Sequence, residues 1–138
     1  MYEHILLASD GSADSSKAAD QAFKLANLTG AHVDIVYVID GDTSKHDVLR
    51  HADTPGMDIE RKEKLRTAEK KAEEANVSYQ VTILRGNPSK TLVDYADEKQ
   101  FDLVVIGTRG LNVLQEMVLG SVSHQVIQKA SCPVLVVK

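Results

Sequence analysis

Three glycines and a serine in GTRGLNVLQEMVLGS, residues 107 to 121, carry the clearest chemical signal in this 138-residue chain. Gly107, Gly110 and Gly120 stand among residues that otherwise favour a helix. Each costs about 0.5 to 1 kcal/mol against alanine inside an element, a cost accepted where backbone must turn sharply or approach another group closely. Gly107-Thr108-Arg109-Gly110 reads as a tight turn whose N–H groups point into one concavity. Gly120-Ser121 reads as the start of a helix, with unsatisfied N–H groups and the positive end of the helix dipole. Together they could cradle an anion, phosphate above all. Gly107 would let the backbone approach the ligand, Gly110 would permit a positive φ, Arg109 would supply a cation, and Ser121 and Ser123 would add hydroxyl donors. The same spacing is also met by a turn glycine, a helix start and a cap with nothing bound.

Other phosphate and hydrolase signatures are missing. The chain has no G-x-x-x-x-G-K-[ST], no G-x-G-x-x-G after its first apolar run and no G-x-S-x-G, so a P-loop, a dinucleotide fingerprint and a nucleophile elbow are all set aside. The formal net charge is −4, with both signs interspersed and no basic stripe interleaved with aromatics, which disfavours nucleic acid. A bound polyanion must therefore be held by local groups. No apolar run approaches the roughly 18 residues that span a bilayer. Met1-Tyr2-Glu3-His4 lacks a basic n-region and Ile5-Leu6-Leu7-Ala8 is too short for a signal-peptide core, so the expectation is a cytoplasmic protein with no membrane partner. The single cysteine, Cys132, reads as small buried filler ahead of a strand.

The elements that would position the glycines alternate in type. His4–Ala8, Val33–Ile39, Val77–Leu84, Leu103–Ile106 and Pro133–Val137 are short and rich in Val, Ile and Leu, as strands buried on both faces are. Ser15–Leu28 puts Ala18, Ala19, Ala22, Phe23, Leu25 and Ala26 on one helical face. Ile59–Asn76 is a charged, alanine-rich helix, with both signs at i, i+4 spacings on a solvated face. Pro88–Lys99 carries Leu92, Val93 and Ala96 at helical spacing, and a fourth helix from Gly120 to Ala130 turns Val122, Val126 and Ile127 inward. This order predicts one α/β domain over 1–138, a mostly parallel sheet with helices on both faces and right-handed crossovers. Ligands of such sheets bind outside the carboxyl ends of the strands, where the winding reverses. The glycine stretch lies at the carboxyl end of the fourth strand, and Ser9-Asp10-Gly11-Ser12 emerges from the first at the same edge. The connection from Asp40 to Asp58 is long and rich in breakers; Lys45 to Ala52 is compatible with a short helix.

The pattern Gly107, two residues, Gly110, nine residues, Gly120-Ser121, then Val122-Ser123 and the closing CPVLVVK, resembles the universal stress protein family. The resemblance runs the length of the chain: ILLASDGS is similar to the family's first strand and loop, VYVID to its second strand, GNPSKTLVDYA to the start of its third helix and DLVVIGTRG to its fourth strand and turn. It implies a Rossmann-like, adenine nucleotide alpha hydrolase-like open sheet of five parallel strands in the order 3-2-1-4-5. It also implies a nucleotide at the first and fourth strands and a homodimer through the last strand, residues 133–137. Carried over residue by residue, it places Asp10 at the ribose and the backbone of Ala8 and Val38 beside the adenine, with Gly107, Arg109, Gly110, Gly120, Ser121, Val122 and Ser123 around the phosphates. Asp10 also reads as a turn residue or helix cap. The implied ligand is ATP, or AMP or ADP, and the implied role a stress-linked binding or signalling module. Hydrolysis would need a residue to position water, and only Asp10 and His124 are candidates.

One departure bears on affinity. Many ATP-binding members of the family carry a basic residue between Gly110 and Gly120, whereas this chain has Leu-Asn-Val-Leu-Gln-Glu-Met-Val-Leu, with Glu116 and no cation. Mg²⁺ bridging phosphate oxygens would compensate. An interaction dimer that has lost nucleotide, and a slow ATPase or a protein autophosphorylated on Ser121 or Ser123, remain as alternatives. The apolar stretch Pro133–Val137 would be an edge strand in the order 3-2-1-4-5, and a symmetric dimer would cover it.

Overall fold

Successive residues of the central strands leave for opposite faces of one sheet. Along β1 (His4–Ala8), Ile5 and Leu7 enter one buried cluster while Leu6 and Ala8 enter the other. Along β2 (His32–Ile39), Val33, Ile35 and Tyr37 go with the first set, Val36 and Val38 with the second. A strand covered on both faces must be apolar almost throughout, which is why these segments are near-continuous runs of Val, Ile and Leu. The structure is a computed structural model that describes residues 2–9, 13–39, 46–49, 59–107 and 121–138; the side chains of 13–15, 46–49, 59–62, 64 and 121–123 fall outside the description.

The remaining elements are β3 (His46–Leu49), β4 (Tyr79–Arg85), β5 (Leu103–Gly107) and β6 (Val134–Val137), with α1 (Ala13–Thr29), α2 (Ile59–Glu74), α3 (Pro88–Glu98) and α4 (Ser121–Lys129). The sheet has six strands in the order β3-β4-β2-β1-β5-β6. Its five parallel strands, β4-β2-β1-β5-β6, follow the expected order 3-2-1-4-5. The sixth strand is an addition. Part of the Lys45–Ala52 segment, compatible in sequence with a helix, instead forms β3 and pairs antiparallel with β4, from His46 opposite Leu84 to Leu49 opposite Val81. The open edge of β4 offers a row of N–H and C=O groups that a neighbouring extended segment satisfies.

The clusters also place the helices. Ala18, Ala19, Ala22, Phe23 and Ala26 of α1 and Leu65, Ala68 and Ala72 of α2 pack on the first face. Leu92, Val93, Tyr95 and Ala96 of α3 and Val126 of α4 pack on the second. Leu25 is partly buried against the first cluster. Ile127, expected to face inward, is 39% exposed. Adjacent helical residues are about 100° apart, so with Val126 aimed at the sheet its neighbour turns toward solvent on so short a helix. Cys132 is half-buried against the second cluster, and burial raises its thiol pKa, an inert setting. No described helix is long and apolar enough to cross a membrane.

A polar cluster interrupts the second face. Asp34, on β2, is 1% exposed, and its carboxyl oxygens accept from Thr82 Oγ1 at 2.8 Å, Gln80 Nε2 at 3.0 Å and Tyr95 Oη at 2.7 Å. Two of these donors come from β4 and one from α3, so the cluster fixes how α3 sits on the sheet. Burial, opposed by Thr82 and reinforced by the Asp34 contact, pushes the Tyr95 phenol up to about 12. At the amino edge, the Asp102 carboxyl accepts from the backbone N–H of Glu3 at 2.8 Å and of His4 at 2.9 Å, which lowers its pKa and pins β1 to β5.

Helices α2 and α3 end on left-handed residues, Asn76 (φ 57°) and Gln100 (φ 56°). The Val77 N–H reaches the Ala72 carbonyl and the Phe101 N–H reaches that of Ala96, each at 3.0 Å, which closes a Schellman turn. Gly30 ends α1 at φ 75°, with open space where a Cβ would stand. Gln100→Gly should therefore gain about 0.5 to 1 kcal/mol and Gly30→Ala lose about 1 kcal/mol, both through backbone conformation, read as shifts in urea midpoint.

The Tyr95 phenol sets a second expectation. Its folded value, about 12, exceeds the ordinary 10, so the native state holds this proton more tightly than the unfolded chain does. That stability is complete below about pH 10 and is lost as pH rises through about 12. Tyr79, raised to about 12 by burial and by its bond to Glu73, acts with the same sign. Tyr95→Phe should cost about 1 to 2 kcal/mol near neutral pH and make the alkaline fall in urea midpoint shallower without abolishing it.

Candidate functional site

The winding of the sheet reverses at β1. The connections carrying α1 and α2 lie on one face and build toward β2 and β4, whereas those carrying α3 and α4 lie on the other and lead to β5 and β6. Helices on opposite faces diverge at such a point and leave a crevice outside the carboxyl ends of the two strands that flank it. Those strands are β1 and β5, paired from Ile5 opposite Leu103 to Leu7 opposite Val105.

Three of the residues singled out from sequence meet at this edge. Ala8 is the last residue of β1, Val38 the penultimate residue of β2 and Gly107 the last residue of β5, on three adjacent strands. Ala8 and Val38 lie in the same buried cluster, on the face that also carries α3 and α4. The Ser9 N–H donates to the Val36 carbonyl at 2.9 Å, so the chain leaving β1 stays against β2 for one more residue. Gly107 stands opposite Val137 in the β5–β6 register. Ser121, Val122 and Ser123 form the first turn of α4, with their side chains outside the described residues. Asp10, Arg109, Gly110 and Gly120, together with Glu116, lie outside the described residues altogether. His124 is exposed on α4.

The electrostatics of the edge come from helix ends. Both α3 and α4 follow a strand, so both begin at the carboxyl edge, and neither has an acidic residue in its first turn. Their positive dipole ends are not neutralised from within, a setting that favours an anion. Pro88 occupies the first turn of α3, where no N–H is needed, and Asn87 caps it by accepting from the Lys90 N–H at 3.1 Å.

A further polar contact escaped the sequence reading. The Ser89 hydroxyl, buried in the first turn of α3, lies 2.6 Å from Gln125 Oε1 on α4 and 3.0 Å from Asn87 Oδ1. Asn-Pro-Ser announces a capped helix start, but nothing in the spacing of residues so far apart announces their contact.

An open parallel α/β sheet whose winding reverses between β1 and β5, with the amino ends of α3 and α4 at the same carboxyl edge, defines a class of Rossmann-like α/β proteins. The chain belongs to the universal stress protein family: the model described as Universal stress protein family matches residues 1–138. Among relatives, it is 35% identical to universal stress protein MJ0531 of Methanocaldococcus jannaschii, over all of this chain and 83% of that protein. It is 34% identical to universal stress protein YxiE of Bacillus subtilis, over the whole of both. Among solved structures, it matches hypothetical protein MJ0577 with a TM-score of 0.78 at 28% identity, over 100% of this chain and 96% of the other. It matches a universal stress protein in complex with cAMP at TM-score 0.73 and 26% identity, covering 99% and 97% of the two chains. A universal stress protein from Archaeoglobus fulgidus in complex with dAMP gives 0.71 and 27%, covering 99% and 98%.

Proposed function

We propose that this chain is an adenine-nucleotide-binding stress-response protein, taking ATP, or AMP or ADP, at the crevice between β1 and β5 and working as a binding or signalling module. The observation that carries the reading is the winding reversal, which gathers the ends of β1, β2 and β5 at one edge with the first turn of α4. Two relatives of the same fold hold cAMP and dAMP, which supports an adenine nucleotide as the ligand class.

In this reading the backbone at Ala8 and Val38 borders the adenine, and Asp10 bonds the ribose. Gly107, Arg109, Gly110, Gly120, Ser121, Val122 and Ser123 surround the phosphates. The donors available are backbone N–H groups, hydroxyls and one guanidinium, a set suited to phosphate oxygens. Mg²⁺ would neutralise phosphate charge that Glu116 does not. The protein is cytoplasmic. Binding rather than turnover is the activity in this reading, since the sequence offers no base for activating water beyond Asp10 and His124. Glu116 in place of a cation favours one rival, an interaction dimer without nucleotide.

Thermal unfolding with and without Mg²⁺-ATP decides between them. Ligand at about a hundredfold over its Kd adds roughly 2.7 kcal/mol, a midpoint rise of several degrees for a domain of this size. The rise should be present in the parent and absent in Gly110→Val. No rise at millimolar Mg²⁺-ATP, with both proteins folded, would leave the interaction dimer.

The homodimer forms through the last strand. Within this chain's described residues β6 is an edge strand, all apolar and half-buried. The Val104 N–H donates to the Pro133 carbonyl at 3.0 Å. In a parallel ladder this turns the N–H groups of Leu135 and Val137 toward β5 and those of Val134 and Val136 outward. Val136→Pro should therefore keep the fold and its circular dichroism but give a monomer by sedimentation, where the parent gives a dimer. A monomeric parent would refute the dimer.

A further inference from the structure

Helices α3 and α4 lie side by side with their amino ends at the same edge, tied together at both ends. At the amino end Ser89 meets Gln125 at 2.6 Å; at the far end Asp97 Oδ1 accepts from the Ser131 hydroxyl at 2.6 Å, just beyond α4. The two ties differ in what they hold. Gln125 is the first residue of α4 whose N–H has a carbonyl of the helix, that of Ser121, to bond. Fixing Gln125 thus fixes the turn that carries the free N–H groups expected at a helix start, those of residues 121 to 123.

The amino-end tie is a relay centred on the Ser89 hydroxyl. Asn87 Oδ1 already accepts from the Lys90 N–H, so its oxygen must face inward. The Ser89 hydroxyl has one proton and two carboxamide oxygens within reach, at 3.0 Å on Asn87 and 2.6 Å on Gln125. Ser89 donates to Gln125 Oε1 across the shorter contact, and Asn87 Oδ1, which already accepts from the Lys90 N–H, is its second acceptor. Behind Asn87, the Gly86 N–H donates to the Ile39 carbonyl at 3.0 Å, so the relay is anchored on the end of β2.

We propose that Gln125 is a positioning residue which, through Ser89 and Asn87, holds the first turn of α4 over the carboxyl edge and so sets affinity for the phosphate part of a nucleotide. This rests on the nucleotide reading above and adds a division of labour to it. The nucleoside is bordered by the ends of β1 and β2, which the relay does not move. The phosphates face α4, which it does.

The test compares Mg²⁺-ATP with adenosine by calorimetry in Gln125→Ala, Ser89→Ala and the far-end control Ser131→Ala. Loss of one such hydrogen bond should weaken Mg²⁺-ATP by about five- to tenfold and adenosine by less than about twofold in the first two variants. Ser131→Ala should lower the melting point while leaving the ratio of the two affinities as in the parent. In nucleotide-free protein, amide hydrogen exchange at residues 121 to 125 should quicken in Gln125→Ala and Ser89→Ala but not in Ser131→Ala. Equal weakening of both ligands, or unchanged exchange at 121 to 125, would overturn the proposal. A parent that binds neither ligand would overturn the nucleotide reading instead, and the exchange measurement would still decide whether Gln125 positions α4.

Discussion

Asp34 is a carboxyl group placed where the sheet has no water to offer, and everything around it is arranged to answer that. Each of its donors belongs to another element: Gln80 and Thr82 to β4, Tyr95 to α3. Apolar packing alone would let α3 slide along a surface of similar Val and Leu side chains. Three directional bonds to one buried group allow a single seating, because displacing the helix would leave polar atoms unsatisfied at about 1 to 3 kcal/mol each. Specificity of placement, more than net stability, is what such a cluster supplies.

That seating propagates. With Tyr95 fixed near the middle of α3, the two ends of the helix are fixed as well. Ser89 at one end and Asp97 at the other are then the points against which α4 is aligned. The path from the middle of the sheet to its carboxyl edge thus runs through polar contacts at every step, while the apolar clusters fill the space between. It also bears on α4, nine residues long, whose Val126 packs on the second face and whose ends meet α3 through Gln125 and, just beyond it, Ser131.

Much of this was legible in the sequence, and the reasons differ by element. The five parallel strands read clearly because burial on both faces leaves almost no polar residue to confuse the pattern. Strand β3 did not, because His46-Asp47-Val48-Leu49 sits among breakers and takes its conformation from the edge of β4 rather than from its own residues. Ile127 was misread because helical spacing gives a face, and a helix at the margin of a sheet buries only part of it. At the site, Ala8 and Val38 came from the family resemblance and Gly107 from the glycine pattern, and the structure places all three near the carboxyl ends of adjacent strands. The Ser89–Gln125 contact carries no periodic trace, and Asp34 was passed over as one polar letter in an apolar run.

The staple at the amino edge has a consequence for how the chain folds. β1 meets β2 through a short βαβ unit, His4 opposite His32, whereas β5 joins it by the Ile5–Leu103 pairing and by the Asp102 bonds from Glu3 and His4 across separations of 99 and 98 residues. During synthesis the first three elements can assemble early, yet one side of the central strand stays unpaired until most of the protein has left the ribosome. Closing so long a loop is entropically costly and slow beside local pairing. For that interval a central strand of the finished sheet is an open edge, and the order of synthesis, rather than final stability, sets how long the nascent chain is exposed to wrong partners.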